Sequence, residues 1–237
     1  LKYHRLHPWK VSIARAREIQ LALAERLRPE WDGRDIKVVA AADVGFPDRD
    51  TVLAAVVVLT FPDLEVVETR VKRARCGFPY VPGYLSFREM PVLLACLEKV
   101  RSRPDVLMCD GQGLAHPRRM GLATHVGILL DSPVLGCAKS VLCGEFEEPA
   151  GSKGSFSYMC AGDGEVIGAA VRTRGGVKPV YVSVGNRIDL ATSVDLVLRC
   201  SPRYRIPEPL RLAHRLSVGK LDTKVQKEAK QKTGRRM

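Results

Sequence analysis

The alternation of apolar and polar positions divides the chain into short, well-separated segments. Across 11–27, apolar residues at 13, 19, 23 and 27 are interleaved with Ala and Arg, which predicts an amphipathic helix closed by Pro29 and Gly33. The β-branched, apolar run from Ile36 to Val44 predicts a buried strand. Thr51 to Phe61 and Glu65 to Arg75 predict two more, joined by turns at Pro47-Asp48-Arg49-Asp50 and at Pro62-Asp63. Connections that short permit only an antiparallel meander. After the loop Cys76 to Leu85 the pattern predicts a helix over about 90–101, a short strand over 105–109, a helix beginning near Pro117 and a strand over 133–138. Helix and strand alternate in this stretch and beyond it, so the fourth and fifth strands should run parallel to the first. A β-hairpin over 155–171 should turn at Gly162-Asp163-Gly164, with a strand at 180–184 and helices at 190–199 and 208–216 after it. The expected class is α/β: a central mixed sheet, an antiparallel meander followed by parallel strands, flanked by helices. We expect one domain over 1–218 and a basic, flexible tail over 219–237.

Charge narrows the choice of partner. The 237 residues carry 38 Lys plus Arg against 26 Asp plus Glu, a net charge of +12, which favours a polyanion. Nucleic acid leads; an anionic membrane surface comes second and lacks a long amphipathic helix to support it. Arg70, Lys72, Arg73 and Arg75 form one cluster, Arg118 and Arg119 another, and the segment from Gly219 a third. Each alone reads as a solvated face; together they suit a phosphate-tracking surface. The longest apolar run, Val52 to Leu59, has eight residues, far short of the roughly 20 a membrane helix needs, so no membrane is expected. Leu1 to Lys10 has no apolar stretch behind its charged start, so no secretory signal is expected there. Seven cysteines without a C-x-x-C pair argue against a zinc finger and against a disulfide scaffold. Cys109 and Cys137 read as small buried hydrophobes, and a reducing, cytoplasmic compartment follows.

The informative residues are acids placed where acids are costly. Asp43 ends the run Val38-Val39-Ala40-Ala41-Ala42, and Asp110 ends Val106-Leu107-Met108-Cys109. An unpaired buried carboxylate costs several kcal/mol or shifts its pKa. If these strands are neighbours, about 4.8 Å apart, both carboxylates can share one divalent cation, and oxygen donors suit Mg²⁺ or Mn²⁺ rather than zinc. The competing reading is a strand-end Asp that bonds the following turn. Glu89 is a third acid, although Ser86-x-x-Glu89 also matches a capping box; Pro91 weakens that reading, because a helix capped at Ser86 would place proline where a backbone donor is first needed. Lys139 follows the fifth strand and could equally snorkel to solvent. His214 lies late on the last helix, where the dipole favours its charged form. His116, before Pro117, could simply begin a helix.

The segments VAAADVGF (39–46), FPYVPGYLSFRE (78–89), DGQGLAHPRRMGLATHVG (110–127), PVLGCAKS (133–140), VSVGNRI (182–188) and RIPEPLRLAH (205–214) together resemble the endonuclease V family, the deoxyinosine 3′ endonucleases. They occur in the family's order and span nearly the whole chain apart from the basic tail. The resemblance implies a ribonuclease H-like fold. It places the family's metal-site acids on Asp43, Glu89 and Asp110, its acid-or-histidine position on His214, and the lysine near the scissile phosphate on Lys139. Glu89 is thereby preferred as a site acid, with Ser86 still free to cap. The implied chemistry is Mg²⁺-assisted phosphodiester hydrolysis, with Mn²⁺ able to substitute, at the second phosphodiester bond 3′ to the lesion, leaving a 3′-hydroxyl and a 5′-phosphate. Pro79-Tyr80-Val81-Pro82 resembles the family's wedge, which fills the gap left by an extruded base; without the family it would read as a Pro-rich surface turn. Gly83, Leu85, Gly111, Gly113, His116 and Gly121 fall where the family builds its base pocket, and Arg88 is added as a substrate contact. Deoxyinosine-containing DNA is the expected partner of a monomeric enzyme of DNA repair. Inosine-containing RNA, or non-catalytic nucleic-acid binding on the same fold, are the alternatives.

Overall fold

The computed structural model describes residues 1–220. The expected tail therefore lies, beyond its first two residues, outside the described residues. Helix α1 (Ile13–Ala24) starts at Ser12, whose hydroxyl accepts from the Arg15 backbone N–H at 3.2 Å. The meander is β1 (Val38–Gly45), β2 (Thr51–Thr60) and β3 (Val66–Arg75), antiparallel throughout. Then follow α2 (Leu85–Leu97), β4 (Val106–Cys109), α3 (Leu122–Leu130) and β5 (Val134–Ala138). The hairpin β6 (Phe156–Cys160) and β7 (Val166–Val171) leads to β8 (Val180–Asn186), α4 (Leu190–Arg199) and α5 (Glu208–Ser217).

All eight strands join one sheet in the order β3-β2-β1-β4-β5-β8-β7-β6. As expected, β4 runs parallel to β1 and β5 parallel to β4. The helix–strand alternation ends at β5, earlier than the pattern suggested. β8 is antiparallel to β5 and β7, and β7 to β6, so the parallel strands are flanked by antiparallel ones on both sides. Side chains alternate across β1. Val39 and Ala41 face a layer with Leu210, Ala213 and Leu216 of α5 and Val197 of α4, while Ala40 and Ala42 face Met90, Leu93 and Leu97 of α2 and Val126 of α3. α1 packs outside these layers, joining Ala16, Ile19 and Leu23 to Phe87 and Met120.

Two helices depart from the sequence pattern. The helix expected over 90–101 begins five residues earlier and runs through Pro91. Pro91 is exposed, so its missing donor falls on the outer face, and burial of Phe87, Met90, Leu93 and Leu94, each worth about 1.5–3 kcal/mol, outweighs a proline cost of about 3 kcal/mol. No capping box forms: the N-cap is Tyr84 without a side-chain bond, and the Ser86 hydroxyl instead bonds His125 Nδ1 at 3.0 Å. The helix expected near Pro117 begins at Leu122, because Arg119 takes a left-handed φ of 56° inside a turn closed by its N–H on the His116 carbonyl.

Candidate active site

In the β1–β4 register Ala42 lies opposite Cys109, so the next residues, Asp43 and Asp110, emerge side by side where parallel strands end. The Asp110 N–H donates to the Ala42 carbonyl at 3.0 Å, which fixes that neighbourhood. Helix α5 lies over the same face and brings His214, with Nδ1 2.9 Å from Asp43 Oδ2. One ligand atom from each of Asp43, Asp110 and His214 lies within 4.8 Å of the others, the one such cluster among the described residues. Ser217 adds a hydroxyl that donates to Asp43 Oδ2. α5 can seat this closely because Gly45 has no Cβ, which would collide with the Ser217 carbonyl.

Glu89 reaches the group from α2, on the other side of the sheet, but is not within that 4.8 Å cluster. It is 6% exposed, and burial, then the charges of Asp43 and Asp110, push its carboxyl well above the usual range. Burial and Asp43 raise Asp110 too, against the Lys139 ammonium, which forms an ion pair with Asp110 Oδ2. Three carboxylates thus converge on one lysine and one histidine. A hard divalent cation held by Asp43, Asp110 and His214, with Glu89 close by, fits this donor set and relieves its repulsion.

A cavity of about 430 Å³ opens beside the acids. Tyr80, Val81 and Pro82 line one side, Asp110 and Lys139 another, and Gly83, Leu85, Gly111, His116 and Gly121 are in its wall. Tyr80 is 73% exposed at the rim. Gln112 also lines it; its Nε2 donates to the Ser140 carbonyl at 2.8 Å, while Oε1 is buried without a partner.

Three of the expected substrate contacts lie elsewhere. Pro79, Arg88 and Gly113 do not line the cavity. The Arg88 guanidinium turns to the Phe78 carbonyl, 3.1 Å, and stacks 4.7 Å from the Phe46 ring centre. Gly113 is a packing glycine: its N–H donates to Ser183 Oγ at 2.8 Å, and a Cβ would collide with Val184 of β8. His116 lines the cavity but has both ring nitrogens engaged. Nδ1 accepts from the Arg118 N–H and Nε2 donates to the Gly83 carbonyl, each at 3.1 Å, and burial with Arg118 holds its pKa down at about 4. The same carbonyl accepts from Arg118 Nη2 at 2.6 Å and from Gln20 Nε2 at 3.0 Å. Three side chains, Gln20 of α1 and His116 and Arg118 of the loop before α3, therefore clamp the Tyr80 loop at Gly83, whose φ is +79°. Of the basic cluster on β3, Arg70 pairs with Glu68 at 2.6 Å and Arg73 with Asp48 at 3.5 Å, so two of its four charges serve the edge strand itself.

Sequence reasoning missed Ser217, Gln112 and the Gln20–Arg118 clamp. Ser217 was accessible to it, since a residue three after His214 on a helix shares its face. The other two depend on contacts between segments distant in sequence.

A family model described as Endonuclease V matches residues 20–215. The endonuclease V of Trichormus variabilis is 48% identical over 219 residues, 92% of this chain and 99% of that protein. A crystal structure of the endonuclease V from Streptomyces avermitilis superimposes with a TM-score of 0.84 at 40% identity, covering 94% of this chain and 96% of that one. The Ciona intestinalis endonuclease V, crystallised with a 24mer DNA containing an inosine followed by a ribo-adenosine, matches at TM-score 0.77 and 28% identity over 88% of this chain and 97% of that one. With parallel strands that set two aspartates side by side, a histidine closing over them, and relatives of this similarity along almost the full length, the chain belongs to the endonuclease V family of nucleases.

Proposed function

We propose that this chain is a Mg²⁺-dependent endonuclease that draws a hypoxanthine base out of duplex DNA. It then hydrolyses the second phosphodiester bond 3′ to it, leaving a 3′-hydroxyl and a 5′-phosphate, as a step of DNA repair. The observation that carries the reading is the shared wall: Asp110 and Lys139 belong both to the acid cluster and to the cavity edged by the Tyr80 loop. A base held in that cavity leaves its own strand beside the carboxylates. The cavity's size suits a small, flat ligand. Tyr80, between two prolines and exposed at the rim, supplies a stiff aromatic face for the vacated stack.

Asp43, Asp110 and His214 would hold the cation, which when bound lowers the pKa of water and neutralises charge building on the phosphate. The Lys139 ammonium stabilises the same charge from the protein side. Glu89, with its raised pKa, can hold or release a proton at its carboxyl as the charge around it changes. Seven thiols free of disulfides suit a reducing, cytoplasmic compartment, and none of the helices among the described residues is long and apolar enough to cross a membrane.

The test is a nicking assay on a duplex with one deoxyinosine, with Mg²⁺ or Mn²⁺. We expect a single nick, and a loss of several orders of magnitude in rate for Asp43→Ala and Asp110→Ala with binding retained. Equal cutting of an adenine control, or full activity in either variant, contradicts the reading. The ribo-adenosine in the Ciona complex keeps inosine RNA as a second candidate; a matched RNA strand in the same assay decides between them.

A further inference from the structure

Behind the cavity lies a chain of hydrogen bonds that the catalytic cluster does not use. Ser86, which lines the cavity, bonds through Oγ to His125 Nδ1 at 3.0 Å. His125 Nε2 lies 2.8 Å from His7 Nε2, and His7 Nδ1 lies 2.9 Å from the Pro8 carbonyl. The rings sit among Trp9 and Phe87, and burial lowers both histidines, His125 to about 3, so both are neutral near pH 7.

The direction of every proton in this chain is determined. A carbonyl only accepts, so His7 carries its proton on Nδ1 and its Nε2 is an acceptor. His125 Nε2 must then be the donor between the two rings, which leaves His125 Nδ1 as a bare lone pair. Ser86 must donate its only hydroxyl proton to that lone pair. What remains on Ser86 Oγ is acceptor capacity alone. Turning the hydroxyl towards the cavity would orphan a nitrogen in a fully buried ring.

We propose that Ser86 is a specificity-determining residue of the base pocket: locked as an acceptor by His125 and His7, it favours a purine that presents a ring N–H and disfavours one that presents a lone pair there. Hypoxanthine is a lactam with a proton on N1, whereas adenine has a lone pair at N1. The proposal rests on the base-extruding reading above and deepens it, since it names which group on the base the pocket selects. The N-terminal segment, through His7, becomes a positioning element for a cavity it does not line.

The test measures binding with chelator present, so that no strand is cut. The three duplexes carry deoxyinosine, the unsubstituted purine nucleoside (which lacks the N1 proton), or adenine. We expect the full chain to prefer inosine over purine, and Ser86→Ala to reduce that preference at least about tenfold with affinity for the adenine duplex unchanged or raised. An unchanged preference in Ser86→Ala, a preference absent from the unsubstituted protein, or an equal loss on all three duplexes overturns the proposal; the last is what a structural role produces. Should Ser86→Ala not fold, ¹⁵N spectra of the unsubstituted protein decide: His125 protonated on Nε2 and His7 on Nδ1 support the lock, and His125 protonated on Nδ1 overturns it. Nicking of the inosine duplex by the unsubstituted protein with Mg²⁺ is scored separately, so failure of the nuclease reading is distinguishable from failure of the Ser86 role.

Discussion

Removing the divalent cation should cost stability, and Glu89→Gln should return part of it. Ligand oxygens of Asp43 and Asp110 lie no more than 4.8 Å apart. Two full charges at that separation repel by about 3.5 kcal/mol at an effective dielectric of about 20. The Lys139 ion pair and the His214 contact offset part of this. Glu89 adds a third carboxyl that is buried and is raised by the other two. A cation that binds only the folded state stabilises it by about 2.7 kcal/mol at a hundred times its dissociation constant. For a chain of this size that corresponds to a rise of about 5–11 °C in Tm. Thermal unfolding of the unsubstituted protein in EDTA and in Mg²⁺ should show that rise. Glu89→Gln should melt at least about 2 °C higher than the unsubstituted protein in EDTA, gain less from Mg²⁺, and nick poorly. The sign with pH follows from the same shift. Because the folded-state pKa of Glu89 lies above its unfolded value near 4.5, the folded state binds the extra proton. This residue's contribution to stability therefore falls as pH rises past about 4.5 towards the folded-state pKa, and it is absent from Glu89→Gln. Equal melting in EDTA and Mg²⁺, or a Glu89→Gln protein less stable than the unsubstituted one in EDTA, would refute the reasoning.

The wedge and the cavity floor give two further outcomes. Tyr80→Ala removes the exposed rim aromatic and should weaken binding to an inosine duplex by the worth of one stacked base, about 1–3 kcal/mol, with little change on undamaged duplex; equal losses in a titration of both contradict the wedge role. Gly136→Ala would set a Cβ 2.5 Å from the Gly111 carbonyl and 2.7 Å from the Gly113 nitrogen, pressing β5 into the loop after Asp110. It should cost about 1–3 kcal/mol in denaturant unfolding and reduce nicking through the displaced loop, whereas an unperturbed midpoint and rate would show that the backbone yields freely.

Local pattern carried most of the element list because each segment's neighbours act within a few residues. The meander, β4, β5, the hairpin and α4 all stand where alternation and turn residues put them. The alternation of helix and strand gave β4 its direction parallel to β1, but their adjacency stood in the sequence as a condition; the fold supplies it, and that pairing sets Asp43 beside Asp110. The basic composition pointed to a polyanionic partner, and the six motifs carried the resemblance to a nuclease family. Where local rules competed with burial, they lost. Pro91 reads as a barrier to a helix from Ser86, but the apolar residues on either side of it bury together and the helix runs through it. Pro117 suits a helix start, but Arg119 takes a left-handed φ in the turn after it and α3 begins behind Gly121.

The tertiary structure alone decided which side chains face the cavity and which way their protons point. Arg88 and Gly113 sit inside the right motifs yet turn to Phe78 and to β8, because a motif fixes neighbours along the chain and not the direction of a side chain. Ser86 matches a capping signature, yet its hydroxyl is turned to the Nδ1 of His125 on α3, and α2 starts without a side-chain cap bond. The order of residues specified the strands, the acids and the lineage, since these depend on short-range periodicity and on residue type. The polarity of the pocket depends on contacts between positions 39 and 118 residues apart, and only the folded chain brings those together.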